Sequence, residues 1–298
     1  MNTPLAVSPV QATETEGAQI GPGSLLWDAA GDLRGLLVLF RIGLIQNMHP
    51  AVSRALEEHS GEVFLKNPWN RLLRSIPPIL GVIYDADPEA TGRRVRAFHA
   101  GIQGQMADGR RYHALQPELF FWTHATFVEG ILAARAVFDR PYTRAQCEQL
   151  YQESITWWRR YGMPMHPVPP DYAAFSRYWD EMLRTLEPTP ITHHALNLGR
   201  TPRPFESIPQ PLWWVLDPLV HRFSRWLARG TLPPLLRERL GLRWSRLDGA
   251  LLWGFARVVR MVCALMPTEW RYLPAARVGR AARAAAASPD VTRPVRPR

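Results

Sequence analysis

Residues 117–138 read PELFFWTHATFVEGILAARAVF. The pattern predicts a single helix that is apolar nearly all the way round in its first half. Such a helix needs neighbours on every side, so it belongs at the centre of a helical bundle. Phe120, His124, Phe127 and Ile131 share one face of it by helical spacing. We therefore expect His124 in the protein core.

Helix signals also dominate the rest of the chain. Asn67-Pro68 and Asp87-Pro88 each place a capping residue before a proline, and the second pair opens a helix predicted over 88–104. No segment alternates like a strand, although Asp108-Gly109 is a turn signal that could close a small hairpin. The sequence predicts an all-α fold.

One domain is expected, over residues 21–280. Residues 1–20 are polar and lack a helix cap, which predicts a flexible N-terminus. Residues 281–298 form a basic, low-complexity Ala/Arg/Pro tail that we expect to be disordered. The Pro-rich stretch 188–212 is predicted as a loop, the best candidate for a boundary or a lid.

The composition fits a packed globular protein, with 46% hydrophobic residues and 12 Trp among 298 residues. The net charge of +10 first suggests nucleic acid or an anionic membrane surface as partner. Half of that charge lies from Ala275 onward, and Lys66 is the only lysine. The other arginines are scattered over the helices, which favours codon usage in a GC-rich genome as their origin. Nucleic acid is therefore not expected as a partner.

Cys147 and Cys263 lie in separate predicted helices without CxxC spacing, so neither a disulfide framework nor a zinc site is expected. The N-terminus lacks the charged and apolar regions of a signal peptide. The longest apolar run, 36–45, contains Arg41 and is too short to span a bilayer. We expect a cytoplasmic protein without a transmembrane segment, and the oligomeric state stays open.

Three polar side chains on apolar helix faces are the candidates for chemistry. In the predicted helix 88–104, His99 points inward with Val95, Phe98 and Ile102, and Arg96 lies one turn before it. His99 is either a core histidine bonded to a carbonyl or carboxylate, or a metal ligand with a second acceptor on its other nitrogen.

His124 carries the same two alternatives on its own helix. Arg41 is the only charge between Leu36 and Ile45, and a buried guanidinium needs an anionic partner. That partner is either a carboxylate from a neighbouring helix or a cofactor carboxylate such as a haem propionate. His99, His124 and Arg41 together outline a pocket among three helices.

Motifs of other enzyme classes are absent. The sequence contains no GxGxxG, Walker, HExxH or GxSxG motif, which argues against nucleotide-dependent, zinc-protease or serine-hydrolase chemistry. His193-His194 falls in the predicted Pro-rich loop and is expected to be a solvated pair.

An ordered set of segments carries a family resemblance. They are GPGSLLW at 21–27, Arg41 with Gln46 and HPAV at 49–52, RVRAFHA at 94–100, YHAL at 112–115 and WTHAT at 122–126. The set resembles the family of the mpaB-type oxygenase and the rubber oxygenase (latex-clearing protein) catalytic domain. The resemblance extends from about Gly21 to Arg283.

The resemblance implies a mostly helical, globin-like haem b protein that uses dioxygen on carbon–carbon double bonds of isoprenoid chains. It implies that His99 is the proximal iron ligand, with Arg96 in support and Arg41 near the haem. We take Arg41 and His124 as candidate catalytic residues. Ile45 and Gln103 stand where rubber oxygenase has threonine and arginine, so a small apolar substrate or a divergent activity is expected instead of polymer cleavage.

Two other functions stay open from the sequence. One is a haem protein that senses or carries without turnover. The other is a basic helical module, without a cofactor, that binds nucleic acid or membrane through its tail.

Overall fold

A computed structural model describes residues 18–287, without the side chains of residues 61–66. This part of the chain is one body, about 70% helical with 13 α-helices. The helices are α1 Leu25–Ala29, α2 Leu39–Asn47, α3 Pro50–Lys66, α4 Pro68–Tyr84, α5 Pro88–Ala97, α6 Pro117–Phe138, α7 Arg144–Arg160, α8 Tyr172–Thr185, α9 Pro190–Leu196, α10 Gln210–Thr231, α11 Pro234–Arg239, α12 Arg246–Leu265 and α13 Pro274–Ala287. The mostly helical class predicted from the sequence is confirmed.

Helix α6 lies at the centre, as its all-round apolar sequence predicts. The core consists of three apolar clusters, and α6 contributes to each of them. Phe120 and Phe121 belong to the first, Trp122 to the second, and Ala134 with Phe138 to the third. No face of α6 is left for solvent along most of its length, which is the physical reason for its composition.

The predicted hairpin is present as β1 Gln103–Gln105 and β2 Arg111–His113, paired antiparallel with Gly104 opposite Tyr112. Gly109 occupies the turn with a positive φ of 85°, a conformation that costs glycine little. The Tyr112 hydroxyl donates to Glu58, which ties the hairpin to α3.

The loop predicted over 188–212 is partly helical, because α9 forms within it. Thr189 caps α9 by accepting the Thr192 amide, and the Thr192 hydroxyl oxygen accepts the Thr189 amide in return, which closes a capping box. His193 and His194 therefore lie on a short helix, and the prediction of a loop pair is wrong.

The ends of the predicted domain are more ordered than the composition indicates, as far as they are described. Ile20 is buried in the first core cluster. Helix α13 reaches Ala287 and so includes the first part of the predicted tail. Residues 1–17 and 288–298, where the remaining predictions of flexibility fall, lie outside the described residues.

No single helix among residues 18–287 passes the length and hydropathy test for crossing a membrane. Two helical segments, 33–47 and 50–60, pass it only as a pair bent by 101°.

Candidate functional site

The site forms where α5, α6 and α7 meet. Gly92 of α5 lies against the backbone of α7, where an added Cβ would come within 2.1 Å of the Arg160 carbonyl oxygen. Arg96 donates to the carbonyl oxygen of Gly162 at 2.8 Å. These two contacts hold the C-terminal end of α5, and hence the following residue His99, against the end of α7.

The prediction that His99 lies within a helix over 88–104 is wrong. Helix α5 ends at Ala97, and the amide of His99 bonds to the Arg96 carbonyl in a tighter, three-residue turn. Phe98, predicted on the inward face, is 61% exposed. The tighter turn rotates the side chains, so His99 lies partly buried at the edge of the core.

His99 has one nitrogen bound and one available. Its Nδ1 lies 2.8 Å from the carbonyl oxygen of Val95. A carbonyl can only accept, so Nδ1 carries the hydrogen and the neutral ring leaves Nε2 as a bare lone pair. Burial lowers the pKa of His99, and the charge of Arg71 lowers it further. An accessible, neutral imidazole with its Nδ1–H fixed by a carbonyl is suited to ligate a metal through Nε2.

Arg71 of α4 is the residue that the sequence reasoning missed. Its side chain is exposed to solvent, and desolvation by the surrounding atoms lowers its pKa. No described carboxylate forms an ion pair with it in the part of the chain that the structure covers. A guanidinium in this setting, close enough to act on His99, is free to bind an anion.

His124 is fully enclosed in an aromatic box. Its ring lies 4.7 Å from Trp157, 5.5 Å from Trp158 and 6.0 Å from Tyr161, measured between centroids. Burial lowers the pKa of His124 to about 3, partly offset by a hydrogen bond with the Ser154 backbone. Its Nδ1 has no partner among the described atoms. The prediction that His124 lies in the core is confirmed.

His99 and His124 border the same aromatic cluster from different sides. Phe120 contacts His99 at 5.3 Å and Trp158 at 5.7 Å, and Trp158 in turn contacts His124. The two imidazoles are therefore linked through packed rings, and His124 does not open on the side where His99 is accessible.

Arg41 is separate from both histidines. Its guanidinium donates to both oxygens of Glu129 on α6, at 2.5 and 2.7 Å, and its Nε donates to the Thr231 carbonyl. Arg41 is only 2% exposed. Of the two partners left open by the sequence, the structure contains the carboxylate from a neighbouring helix. The sequence contains a signal for Glu129 of the same kind as for Arg41, because each is an isolated charge in an apolar helix segment.

An apolar pocket lies beside this ion pair. It has a volume of about 100 Å³ and lies between the 3₁₀ helix Leu33–Val38, α2, α4 and α6. Ile42, Phe127 and Ile131 are among its lining residues, and Trp157 separates it from His124. Its lining suits an apolar molecule, but its volume is below the roughly 300 Å³ at which typical ligand pockets begin.

The described residues contain no cluster of three or more His, Cys, Asp or Glu side chains that could hold a metal ion.

His49 is a further partly buried histidine, and its ring centroid lies 6.3 Å from that of Trp122. Burial lowers its pKa to about 4, and the charge of Arg110 contributes to the lowering.

Fold and site together define a mostly helical protein in which the partly buried His99 lies near the exposed Arg71, with an apolar pocket on the other side of the aromatic cluster. Comparison with protein families identifies the family to which this chain belongs. The chain belongs to the family described as ER-bound oxygenase mpaB/B'/Rubber oxygenase, catalytic domain, whose model matches residues 27–261. The resemblance found in the sequence is thereby confirmed, and membership indicates oxygenase activity.

Two curated relatives carry no assigned function. They are uncharacterized proteins of Mycobacterium bovis and Mycobacterium tuberculosis. Each is 24% identical over 212 residues, which cover 70% of this chain and 79% of the relative. No solved structure matches the chain significantly.

Proposed function

We propose that this protein is a haem b-dependent oxygenase that uses dioxygen on a small apolar, isoprenoid-type alkene. The observation that carries the proposal is His99, whose Nδ1–H is fixed by the Val95 carbonyl and whose Nε2 is unprotonated and accessible. Imidazole is a usual axial ligand of haem iron. The globin-like arrangement implied by the resemblance is part of the same proposal.

Arg71 is the residue best placed to pair with a haem propionate. Its charge already acts on the His99 ring, and it has no carboxylate partner among the described side chains. Arg41, the propionate candidate from the sequence, has its charge neutralised by Glu129. Arg96 acts through the backbone contact that positions α5.

The bound haem would supply the dioxygen chemistry. The contributions of the chain are those of a preorganised frame. Val95 fixes the tautomer of His99 and strengthens it as a donor of electron density. The pocket lined by Ile42, Phe127 and Ile131 lies beyond Trp157 and His124 as seen from His99, so it is not assigned as the place where substrate meets the haem. His124 stays neutral and holds the aromatic cluster between His99 and this pocket in place.

We also propose the cytoplasm as the location. Cys147 and Cys263 are both free, which supports a reducing compartment.

The test is the absorbance spectrum and haem content of protein produced with ample haem. We expect a Soret band in the wild type that is lost in His99→Ala with unchanged circular dichroism. His166→Ala is the matched control, because that histidine is exposed and binds only Glu118. A wild type that neither contains haem nor takes it up contradicts the proposal, as does His99→Ala with the wild-type spectrum.

A second pair of variants addresses the propionate. Arg71→Ala should lower haem retention, whereas Arg74→Ala on the same exposed helix segment should retain it. Equal retention in both variants contradicts the role of Arg71 and leaves the His99 result independent. Oxygenase activity is then measured as dioxygen uptake by haem-loaded protein with an apolar alkene.

A further inference from the structure

Helix α12 is apolar on both of its faces. Its inner face, with Leu252, Phe255 and Ala256, packs into the third core cluster. Its outer face is also apolar, and Leu247 and Leu265 near its two ends are 69% and 81% exposed. An apolar stripe on the outer side of a helix is normally covered by another surface.

Helix α10 extends this surface. Its Phe223 contacts Phe255 of α12 at 5.3 Å and stacks on Trp226 at 5.9 Å, so the two helices lie side by side. We call the joint surface the α10–α12 face. Its exposed members are Leu212, Val215, Leu219 and Phe223 of α10 and Leu247, Leu251, Val258, Met261 and Leu265 of α12. Contiguous exposed apolar areas of this kind mark interaction sites.

The spacing of these residues shows that the face is organised. Leu247, Leu251, Val258, Met261 and Leu265 recur at intervals of three, four or seven residues and so form one stripe along the whole helix. The regular stripe distinguishes the face from scattered exposed side chains, which need no explanation.

The part of the sequence that contains α10 and α12 is strongly positive. Residues 210–287 contain 13 Arg and four acidic residues, a net charge of +9, whereas residues 1–209 carry a net charge of −1. The distribution points to an anionic partner.

Several of these arginines flank the apolar stripe. Arg246 and Arg257 lie on one edge of α12 by helical spacing, and Arg222 lies at the edge of the stripe on α10. All three are exposed, and no described carboxylate forms an ion pair with them in the part of the chain that the structure covers. Arg257 stacks on the exposed Trp253 at 4.8 Å. Arginine and tryptophan beside an apolar stripe are typical of helices at a membrane interface.

We propose that the α10–α12 face docks on the surface of an anionic lipid bilayer, with α12 lying in the plane of the interface. The apolar stripe enters the boundary of the acyl chains, while the flanking arginines bind lipid phosphates.

Other occupants fit less well. A second copy of the chain would place arginines opposite arginines across a two-fold axis, with few carboxylates to compensate them. Residues 288–298 add three Arg and one Asp, and therefore lack the apolar side chains to cover the face. The first 17 residues contain no aromatic residue and few large aliphatic ones.

The experiment is co-sedimentation of the full chain as purified with vesicles of phosphatidylcholine alone or mixed with phosphatidylglycerol. We expect the wild type to bind the anionic vesicles and to be released in part by salt. Leu251→Glu/Met261→Glu should lower the partition coefficient by roughly tenfold or more per side chain. Met165→Glu is the matched control, because Met165 is also exposed (40%) but lies far from the α10–α12 face. Its neighbour His166 contacts the first turn of α6, whereas α12 contacts the last turn of α6.

Charge is tested separately. Arg246→Glu/Arg257→Glu should weaken binding to the anionic vesicles by roughly fivefold per arginine, with little change on neutral ones. The Leu251→Gln/Met261→Gln variant replaces the glutamate pair if circular dichroism shows that the latter does not fold.

Three outcomes would overturn the proposal. The first is a wild type that stays in the supernatant with both kinds of vesicle. The second is equal binding by the wild type and the Leu251/Met261 variants. The third is a wild-type dimer in light scattering that these variants convert to a monomer, which would assign the face to a second copy.

Discussion

Removal of one charge from the buried Arg41–Glu129 pair provides the sharpest test of what Arg41 does. Glu129→Gln keeps the shape of the side chain but removes the negative charge. Arg41, 2% exposed, would then keep only neutral acceptors for a full positive charge. Leaving one partner of such a pair uncompensated costs about 3–5 kcal/mol. That cost is a large fraction of the free energy of unfolding of a typical domain, about 5–15 kcal/mol.

Two comparisons isolate the charge effect. Glu187→Gln removes the partner of Arg239, an ion pair of 3.5 Å whose glutamate is 68% exposed, and should cost about 1 kcal/mol or less. Arg41→Met/Glu129→Leu removes both charges and should recover most of the loss, because well-packed apolar pairs replace buried ion pairs at little cost.

The assay is urea unfolding followed by circular dichroism on the four proteins, combined with their haem content. If Glu129→Gln costs no more than Glu187→Gln, the reasoning from burial is refuted. Haem content answers a different question. A folded Arg41→Met/Glu129→Leu protein that retains haem confines Arg41 to the ion pair, whereas loss of haem supports the cofactor role predicted from the sequence.

The remaining predictions concern His124 and the helix crossing at Gly92. The unfolded chain binds a proton at His124 below pH 6.5, whereas the folded protein binds it only near pH 3. The free energy of unfolding therefore decreases as the pH is lowered from 6.5 to 3. At pH 5 this histidine should cost about 2 kcal/mol, and His124→Phe should lose that component in unfolding curves measured against pH; parallel curves would contradict it. Gly92→Ala should destabilise the protein by about 1–3 kcal/mol in thermal unfolding, because the added methyl group collides with the Arg160 carbonyl. In contrast, Gly43→Ala, with open space around it, should stabilise α2 by up to about 1 kcal/mol; equal effects of the two would refute the argument from packing.

The sequence predicted the local structure well. The helix starts at Asn67-Pro68 and Asp87-Pro88 and the hairpin at Asp108-Gly109 all formed where their side-chain chemistry places them. These features depend on hydrogen bonds within a few residues, so they can be predicted from the sequence without knowledge of the fold.

Tertiary packing decided what periodicity could not. The pattern around His99 predicts an inward helical face, but the contacts of α5 with α7 and the turn after Ala97 leave Phe98 exposed and His99 accessible. The partner of Arg41 lies 88 residues away on α6. A charge in an apolar segment predicts that a partner exists, but it does not predict which residue that partner is.

Sequence and structure agree most closely for the central helix α6, and they differ most for α12. Helix α6 is apolar nearly all round, whereas α12 has two apolar sides with arginines along one edge between them. Only the fold shows that α6 is covered on every side, while α12 leaves a long apolar stripe uncovered beside arginines that have no carboxylate partner among the described residues. The physical reason is that a side chain's hydrophobicity is a local property, whereas its burial depends on which distant elements pack against it.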